Sequence, residues 1–307
     1  MNLLSLGFPM SYIVLEIGIL FLVFIVAAVA GIIGCGVLIF MISIGMIRIT
    51  PLIDFIHRSV IHWFPDFDTK LKYTIQNTFL IKNIPVVKEK QIFLFHPHGV
   101  FSASYFFHSC TDLTKWKKEY PFKTTISRYV YWLPFGHELC EKLGVISNVY
   151  WSMKEVLEKG DSLHIIPGGT SEIPLTQSGK MRIKLANRTG IFRLALETGT
   201  PLTPVLTYGE NELYSVVYPE LQKWLQKHLH IFLPIPSWKS IQTWLTLCTE
   251  PLKHPIETTI GEPLYVDKIE SPTSDDIENL RNLYIEKLKE LYKKTKPSSY
   301  MDELEIL

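Results

Sequence analysis

The hydrophobic pattern divides this chain into an apolar N-terminal stretch and a longer region of short, alternating elements. Over residues 13–47 the only charged side chain is Glu16, and an apolar run of that length predicts a membrane segment. One straight helix over it would measure about 50 Å, against a hydrocarbon core of about 30 Å. Gly31, Gly34 and Gly36 lie near its middle and favour a helical hairpin over a single tilted helix with an interfacial extension. A cleaved signal peptide fits less well. Ala28-Val29-Ala30 has the look of a cleavage site, but no lysine or arginine precedes the apolar run, and cleavage would leave another apolar stretch at the new N-terminus.

Beyond residue 50 the period changes. Residues 52–83 are aromatic and mixed, a composition suited to a membrane interface or to covering a sheet edge. Residues 91–95 read as a buried strand, 101–110 as a helix with an aromatic face, and 123–127 as a strand. Residues 138–143 look like a helix end closed by Gly144, and 153–158 like a helical piece stopped by Gly160. Residues 163–166 read as a second buried strand, running into Pro167-Gly168-Gly169. Residues 188–197 carry Ile191, Leu194 and Ala195 and end at Gly199, which is helix-and-cap spacing. Residues 201–208 and 257–260 complete the strands, the latter turning at Gly261-Glu262-Pro263. In the last helix Thr273 is placed to cap with Asp276, and Ile277, Leu280, Tyr284, Leu288 and Leu291 make one apolar stripe. Strands alternating with helices predict an α/β domain with a mainly parallel sheet. Residues 213–245, rich in Trp, Leu, Phe and Pro, show no clean period and are expected to form an insertion leaning on the membrane. The expected division is therefore a membrane anchor of one or two spans over 1–50 and a second domain over 51–307.

Composition narrows the function classes. With 47% apolar and 20% charged residues in 307, the chain has material for a sizeable core. A formal net charge of +1 argues against a general nucleic-acid binder, which carries a basic surplus. Cys35, Cys110, Cys140 and Cys248 are scattered without a C-x-x-C pair, which suits reduced thiols better than a disulfide framework or a zinc site. Arg48, Arg58, Lys70 and Lys72 follow the apolar run, so the positive-inside tendency places the remainder in the cytosol. The acceptor triplet Asn187-Arg188-Thr189 is then expected to stay unglycosylated.

Candidate chemistry centres on His96-Pro97-His98-Gly99. Pro97 has no ladder donor and Gly99 permits unusual backbone angles, so the chain is expected to turn here. Two imidazoles result at the carboxyl end of a strand, where open α/β sheets place their ligands. Two residues apart in an extended strand, they would share one face. Three readings compete: a metal-ligand pair, though without an obvious third ligand or HExxH-like spacing; a structural histidine; and a general base acting on a hydroxyl. The motif alone leaves them open. In Pro167-Gly168-Gly169-Thr170-Ser171-Glu172, the glycines would let backbone N–H groups approach an oxyanion or phosphate, and Glu172 could orient an imidazole or accept its charge. A plain tight turn with a solvated glutamate fits the spacing equally well. Lys180, Arg182, Lys184, Arg188 and Arg193, with no acid among them, would suit a polyanionic carrier such as coenzyme A; a solvated or headgroup-facing basic surface is the more common origin of such a run.

These blocks occur in a fixed order: His96-Pro97-His98-Gly99, Pro-Gly-Gly-x-x-Glu at 167–172, and Asn187-Arg188-Thr189-Gly190 with Arg193-Leu194-Ala195. Gly199-Thr200-Pro201-Leu202-x-Pro204-Val205 and Gly209-Glu210-Asn211-Glu212-Leu213-Tyr214 follow. Together they resemble the type-2 diacylglycerol acyltransferase family, which includes monoacylglycerol and wax-alcohol acyltransferases, over nearly the whole chain. The resemblance implies an integral protein of the endoplasmic reticulum membrane, with an acyltransferase domain like that of glycerolipid acyltransferases facing the cytosol. It implies acyl-CoA as co-substrate, no further cofactor, no metal and no nucleic acid. The acceptor is expected to be a neutral lipid with a free hydroxyl, diacylglycerol or monoacylglycerol first, with wax alcohol and retinol open. Glycerolipid relatives separate their histidine from an aspartate by four residues; here that position is Ala103, so the acid must come from elsewhere, with Glu172 as candidate. A second departure is Arg281-Asn282, where the family often has a histidine before Leu-Tyr. The roles then expected are His98 as base, Glu172 to position it, and N–H groups around Gly168 and Gly169 for the oxyanion. Gly99 belongs to the same substrate-binding turn, His96 supports it with exchanged roles open, and Arg188 and Arg193 meet the CoA phosphates. A covalent route through Cys110 or Ser102 is the rival mechanism, though neither sits in a nucleophile elbow. A catalytically inactive, membrane-anchored lipid-binding protein and a metal-dependent hydrolase are the rival functions. Acyl-chain preference and self-association are not legible.

Overall fold

The computed structural model describes residues 66–82, 89–111, 122–131, 143–229, 237–248 and 250–307, with Gly18, Arg58, Ser59, His62, Trp116 and Cys140 as single positions. The expected N-terminal hairpin lies outside the described residues. Among those described, no helix is long and apolar enough to cross a membrane.

Helix α1 (Phe67–Thr78) leads into β1 (Phe79–Lys82), followed by β2 (Ile92–His96), α2 (Ala103–Cys110), β3 (Phe122–Ile126) and β4 (Val145–Ser147). Then come α3 (Tyr150–Glu158), β5 (Ser162–Ile165), a 3-10 turn (Gly169–Leu175), β6 (Arg182–Ile183), α4 (Gly190–Thr198) and β7 (Leu202–Tyr208). The remainder is α5 (Glu210–Leu213), α6 (Pro219–Leu229), α7 (Trp238–Leu247), β8 (Ile256–Ile260), α8 (Ser274–Thr295) and β9 (Glu305–Ile306).

Among the described residues one sheet runs in the order β1-β8-β7-β2-β5-β3-β4. Its neighbours are parallel except for β7 and β8, so the domain is α/β with a mainly parallel sheet, as expected. β2 and β7 are buried at every position. A strand covered on both faces has no solvent side to mark with polar residues, which is why β2 is apolar up to His96 and β7 carries no charged residue and no polar alternation. Ile92 and Leu94 point into a core with Leu157 of α3, Phe192 and Ala195 of α4, and Tyr284 and Leu288 of α8. Phe93 and Phe95 point the other way, onto Trp116 and Phe122. Leu71, Ile75 and Phe107 of α1 and α2 form a further cluster. Each such side chain contributes roughly 1.5–3 kcal/mol when fully buried, so the centre of the sheet is a rigid base for whatever its strand ends carry.

α8 starts in the expected capping box: Thr273 Oγ1 accepts from the Asp276 N–H, and Asp276 Oδ2 accepts from the Thr273 N–H. Two stretches hold elements that the hydrophobic pattern does not show. The stretch 213–245 is not aperiodic; it contains α6 and α7. Their period is hidden because apolar residues also occupy the outer side: Trp238 is 71% and Leu245 63% exposed, and Leu221 and Trp224 are exposed on α6. The chain before Tyr150 also holds β4, at three residues too short for alternation to register.

Candidate active site

β7, β2 and β5 are parallel neighbours, so their carboxyl ends share one edge of the sheet. The His98 turn leaves β2 there, the Pro-Gly-Gly turn leaves β5, and Gly209-Glu210 leaves β7. A crevice outside such strand ends is where open α/β sheets bind ligands.

The two histidines part company. β2 ends at His96, and the chain turns at Gly99, with φ +63°, so strand alternation does not extend to residue 98. His96 is buried, with Nε2 3.0 Å from the Tyr284 hydroxyl on α8. Burial lowers its pKa to about 3, which makes it a neutral core histidine. The two rings therefore meet different partners, the Tyr284 hydroxyl for His96 and the Gly99 carbonyl for His98. His98 is half-buried. Its Nδ1 lies 2.9 Å from the Gly99 carbonyl. A carbonyl only accepts, so this contact assigns the proton to Nδ1 and leaves the Nε2 lone pair available. Burial lowers the pKa of His98 below the usual 6.5, with the Gly99 carbonyl acting partly against it, so the ring is neutral near pH 7. Ser102 donates its N–H (3.2 Å) and hydroxyl (2.8 Å) to the His98 carbonyl and takes a left-handed backbone at φ 37°.

Glu172 enters from β5. Only 2% exposed, it accepts the backbone N–H of His98 on Oε2 and that of Lys184 on Oε1, both at 2.8 Å. It therefore grips the backbone of residue 98, whereas the imidazole hydrogen bond goes to Gly99; the expected role of orienting the ring is not what its contacts show. Burial pushes its pKa up to about 7, while the two N–H groups and the Arg188 and Lys184 charges pull the other way. The carboxylate comes so close to Gly168 that a Cβ there would fall 1.8 Å from Oε1, which explains that glycine. Gly169 follows at φ +58° with open space beside it.

Arg188 Nη2 donates to the Gly168 carbonyl and to the Ser171 hydroxyl, each at 2.6 Å, and so braces the same turn. Lys180 pairs with Asp302 and Arg182 with Glu305, so much of the basic run faces the C-terminal segment. Arg193 is exposed on α4. Of the two rival nucleophiles, Cys110 is buried at the last residue of α2, about 10 Å along the helix from its start, and the Ser102 hydroxyl is bonded to backbone. Glu210 is the residue that the sequence reading underweights, since it enters only as part of a block. Its signal is the same as that of Glu172: an acid placed just after a strand and a glycine. It is buried; burial raises its pKa, and hydrogen bonds from Ser104 and Ala103 oppose the rise.

A family model described as diacylglycerol acyltransferase matches residues 55–306. The chain is 32% identical to diacylglycerol O-acyltransferase 2-like protein 6 of Mus musculus, over 72% of this chain and 71% of that one. It is 31% identical to acyl-CoA wax alcohol acyltransferase 2 of Homo sapiens, over 70% and 69% of the respective chains. With 2-acylglycerol O-acyltransferase 1 of Bos taurus the identity is 33%, over 70% and 68%.

Proposed function

This chain belongs to the diacylglycerol acyltransferase family and is an acyltransferase, and we propose that it moves a fatty acyl group from acyl-CoA to the free hydroxyl of a neutral lipid, diacylglycerol or monoacylglycerol first among them. Support comes from the contact of His98 Nδ1 with the Gly99 carbonyl at 2.9 Å, which leaves Nε2 as a base at the open edge of the sheet.

In the proposed reaction, Nε2 takes the proton of the acceptor hydroxyl as its oxygen attacks the thioester carbonyl. The carbonyl π pair moves onto oxygen, where N–H groups at Gly168 and Gly169 stabilise the negative charge. Collapse of that intermediate forms the ester and expels the CoA thiolate, which recovers the proton from the His98 imidazolium. Direct transfer is favoured over an acyl-enzyme because Ser102 is bonded to the His98 carbonyl and Cys110 is buried at the far end of α2. Arg193, exposed on α4, remains the candidate for a CoA phosphate.

The work site is proposed to be the endoplasmic reticulum membrane, with the domain facing the cytosol. The apolar residues 13–47 followed by Arg48 and Arg58 support the anchor, and Trp224, Trp238 and Leu245, exposed on α6 and α7, support the leaning of 213–245 on lipid. The relatives named for wax alcohol and for acylglycerol are similar to nearly the same degree, 31% and 33% identical, so the acceptor is decided by assay. Microsomes carrying the protein, given labelled acyl-CoA and one acceptor each (monoacylglycerol, diacylglycerol, hexadecanol, retinol), should form di- or triacylglycerol. Wax ester or retinyl ester alone would move the acceptor class, and no product from folded protein would overturn the proposal.

A further inference from the structure

A second buried carboxylate borders the His98 turn on the side away from Glu172. Glu210 is 1% exposed and follows β7, which flanks β2 opposite β5, through Gly209 at φ +92°. Its Oε1 accepts the Ala103 N–H at 2.7 Å and its Oε2 the Ser104 N–H at 3.0 Å; the Ser104 hydroxyl also donates to Oε2. Three donors converging on two oxygens require a carboxylate, since an amide would turn its own N–H groups toward a donor. The side chain also lies flush against Gly99, where a Cβ would stand 2.8 Å from Glu210 Cγ and 3.4 Å from Oε1. Gly99 supplies the carbonyl that bonds the His98 ring.

We infer that Glu210 is a positioning residue for acyl transfer, clamping the first turn of α2 and the Gly99 backbone so that the His98 imidazole presents Nε2 to the acceptor hydroxyl. The inference rests on His98 being the base. Glu172 fixes the chain where it enters the turn, at the His98 N–H. Glu210 fixes it where it leaves, at Ala103 and Ser104, and between these two points the ring depends on the Gly99 carbonyl. A carboxylate rooted at the end of a central strand holds that carbonyl more firmly than the turn could alone. Misplacing a reacting group by about 1 Å slows a reaction by about a hundredfold.

The test uses the full chain in detergent-lipid micelles, with thermal melting to verify folding. Glu210→Gln should lower kcat about a hundredfold while the KM for acyl-CoA stays within about threefold, the signature of a lost transition-state contact and not of lost binding. If Glu210→Gln does not fold, Glu210→Asp, which keeps the charge but shortens the reach to Ala103 and Ser104, is read in the same way. A folded variant with wild-type kcat, or with KM alone raised, overturns the inference while His98→Ala remains inactive. Activity in His98→Ala overturns instead the reading on which the inference rests.

Discussion

The carboxylate of Glu172 accepts the backbone N–H of His98 at 2.8 Å, a bond between residues 74 positions apart. It fastens the end of β5 to the turn after β2, and the room for it is made by Gly168. Gly168→Ala should expel the carboxylate and leave the N–H groups of His98 and Lys184 unmet. An unsatisfied buried donor costs about 1–3 kcal/mol, so with two of them thermal melting should show a stability loss of about 2–6 kcal/mol together with loss of transfer. A variant with wild-type melting and activity would contradict the placement of Glu172.

Glu172 also makes a prediction about pH. Its folded pKa, about 7, stands above the unfolded value of about 4.3. Between these values the folded state binds more protons, so stability falls as pH rises through that window. The contribution is about 4 kcal/mol across it. Comparing pH-dependent melting of wild type and Glu172→Gln isolates this component: the wild-type curve should decline more steeply between about pH 4.5 and 7. Parallel curves would show that the carboxyl does not titrate there.

Tyr284 is the partner of His96, not of His98. Tyr284→Phe removes the hydroxyl 3.0 Å from His96 Nε2 and should cost about 1–2 kcal/mol of stability with kcat nearly unchanged. A large fall in kcat at wild-type stability would transfer the basic role to His96.

Arg188 is expected to act as a brace for the Pro-Gly-Gly turn. Arg188→Met keeps the length of the side chain but removes both hydrogen bonds that Nη2 donates, to the Gly168 carbonyl and the Ser171 hydroxyl. It should lower kcat and the melting temperature together and leave the KM for acyl-CoA near wild type. A rise in that KM alone would assign Arg188 to CoA.

Much of the scaffold was legible in the sequence, for identifiable reasons. β2 and β7 are covered on both faces, so β2 reads as an apolar run and β7 as a strand without charge; α8 announces itself by Thr273, Asp276 and one stripe. α6 and α7 were obscured by outward Leu221, Trp224, Trp238 and Leu245, and β4 was too short to show. At the site, the glycines and prolines that end β2 and β5 marked the two turns. What each carboxylate touches was not readable, because the contacts of Glu172 with His98 and of Glu210 with Ala103 depend on which strands lie side by side. The divergence of His96 and His98 was hidden too, since alternation holds only while the strand continues.

The most direct test of the account compares wild type and His98→Ala in microsomes given labelled acyl-CoA and diacylglycerol or monoacylglycerol. The account predicts a labelled acylglycerol product from wild type and none above background from folded His98→Ala. Equal product from the two proteins would contradict it and remove His98 from the chemistry.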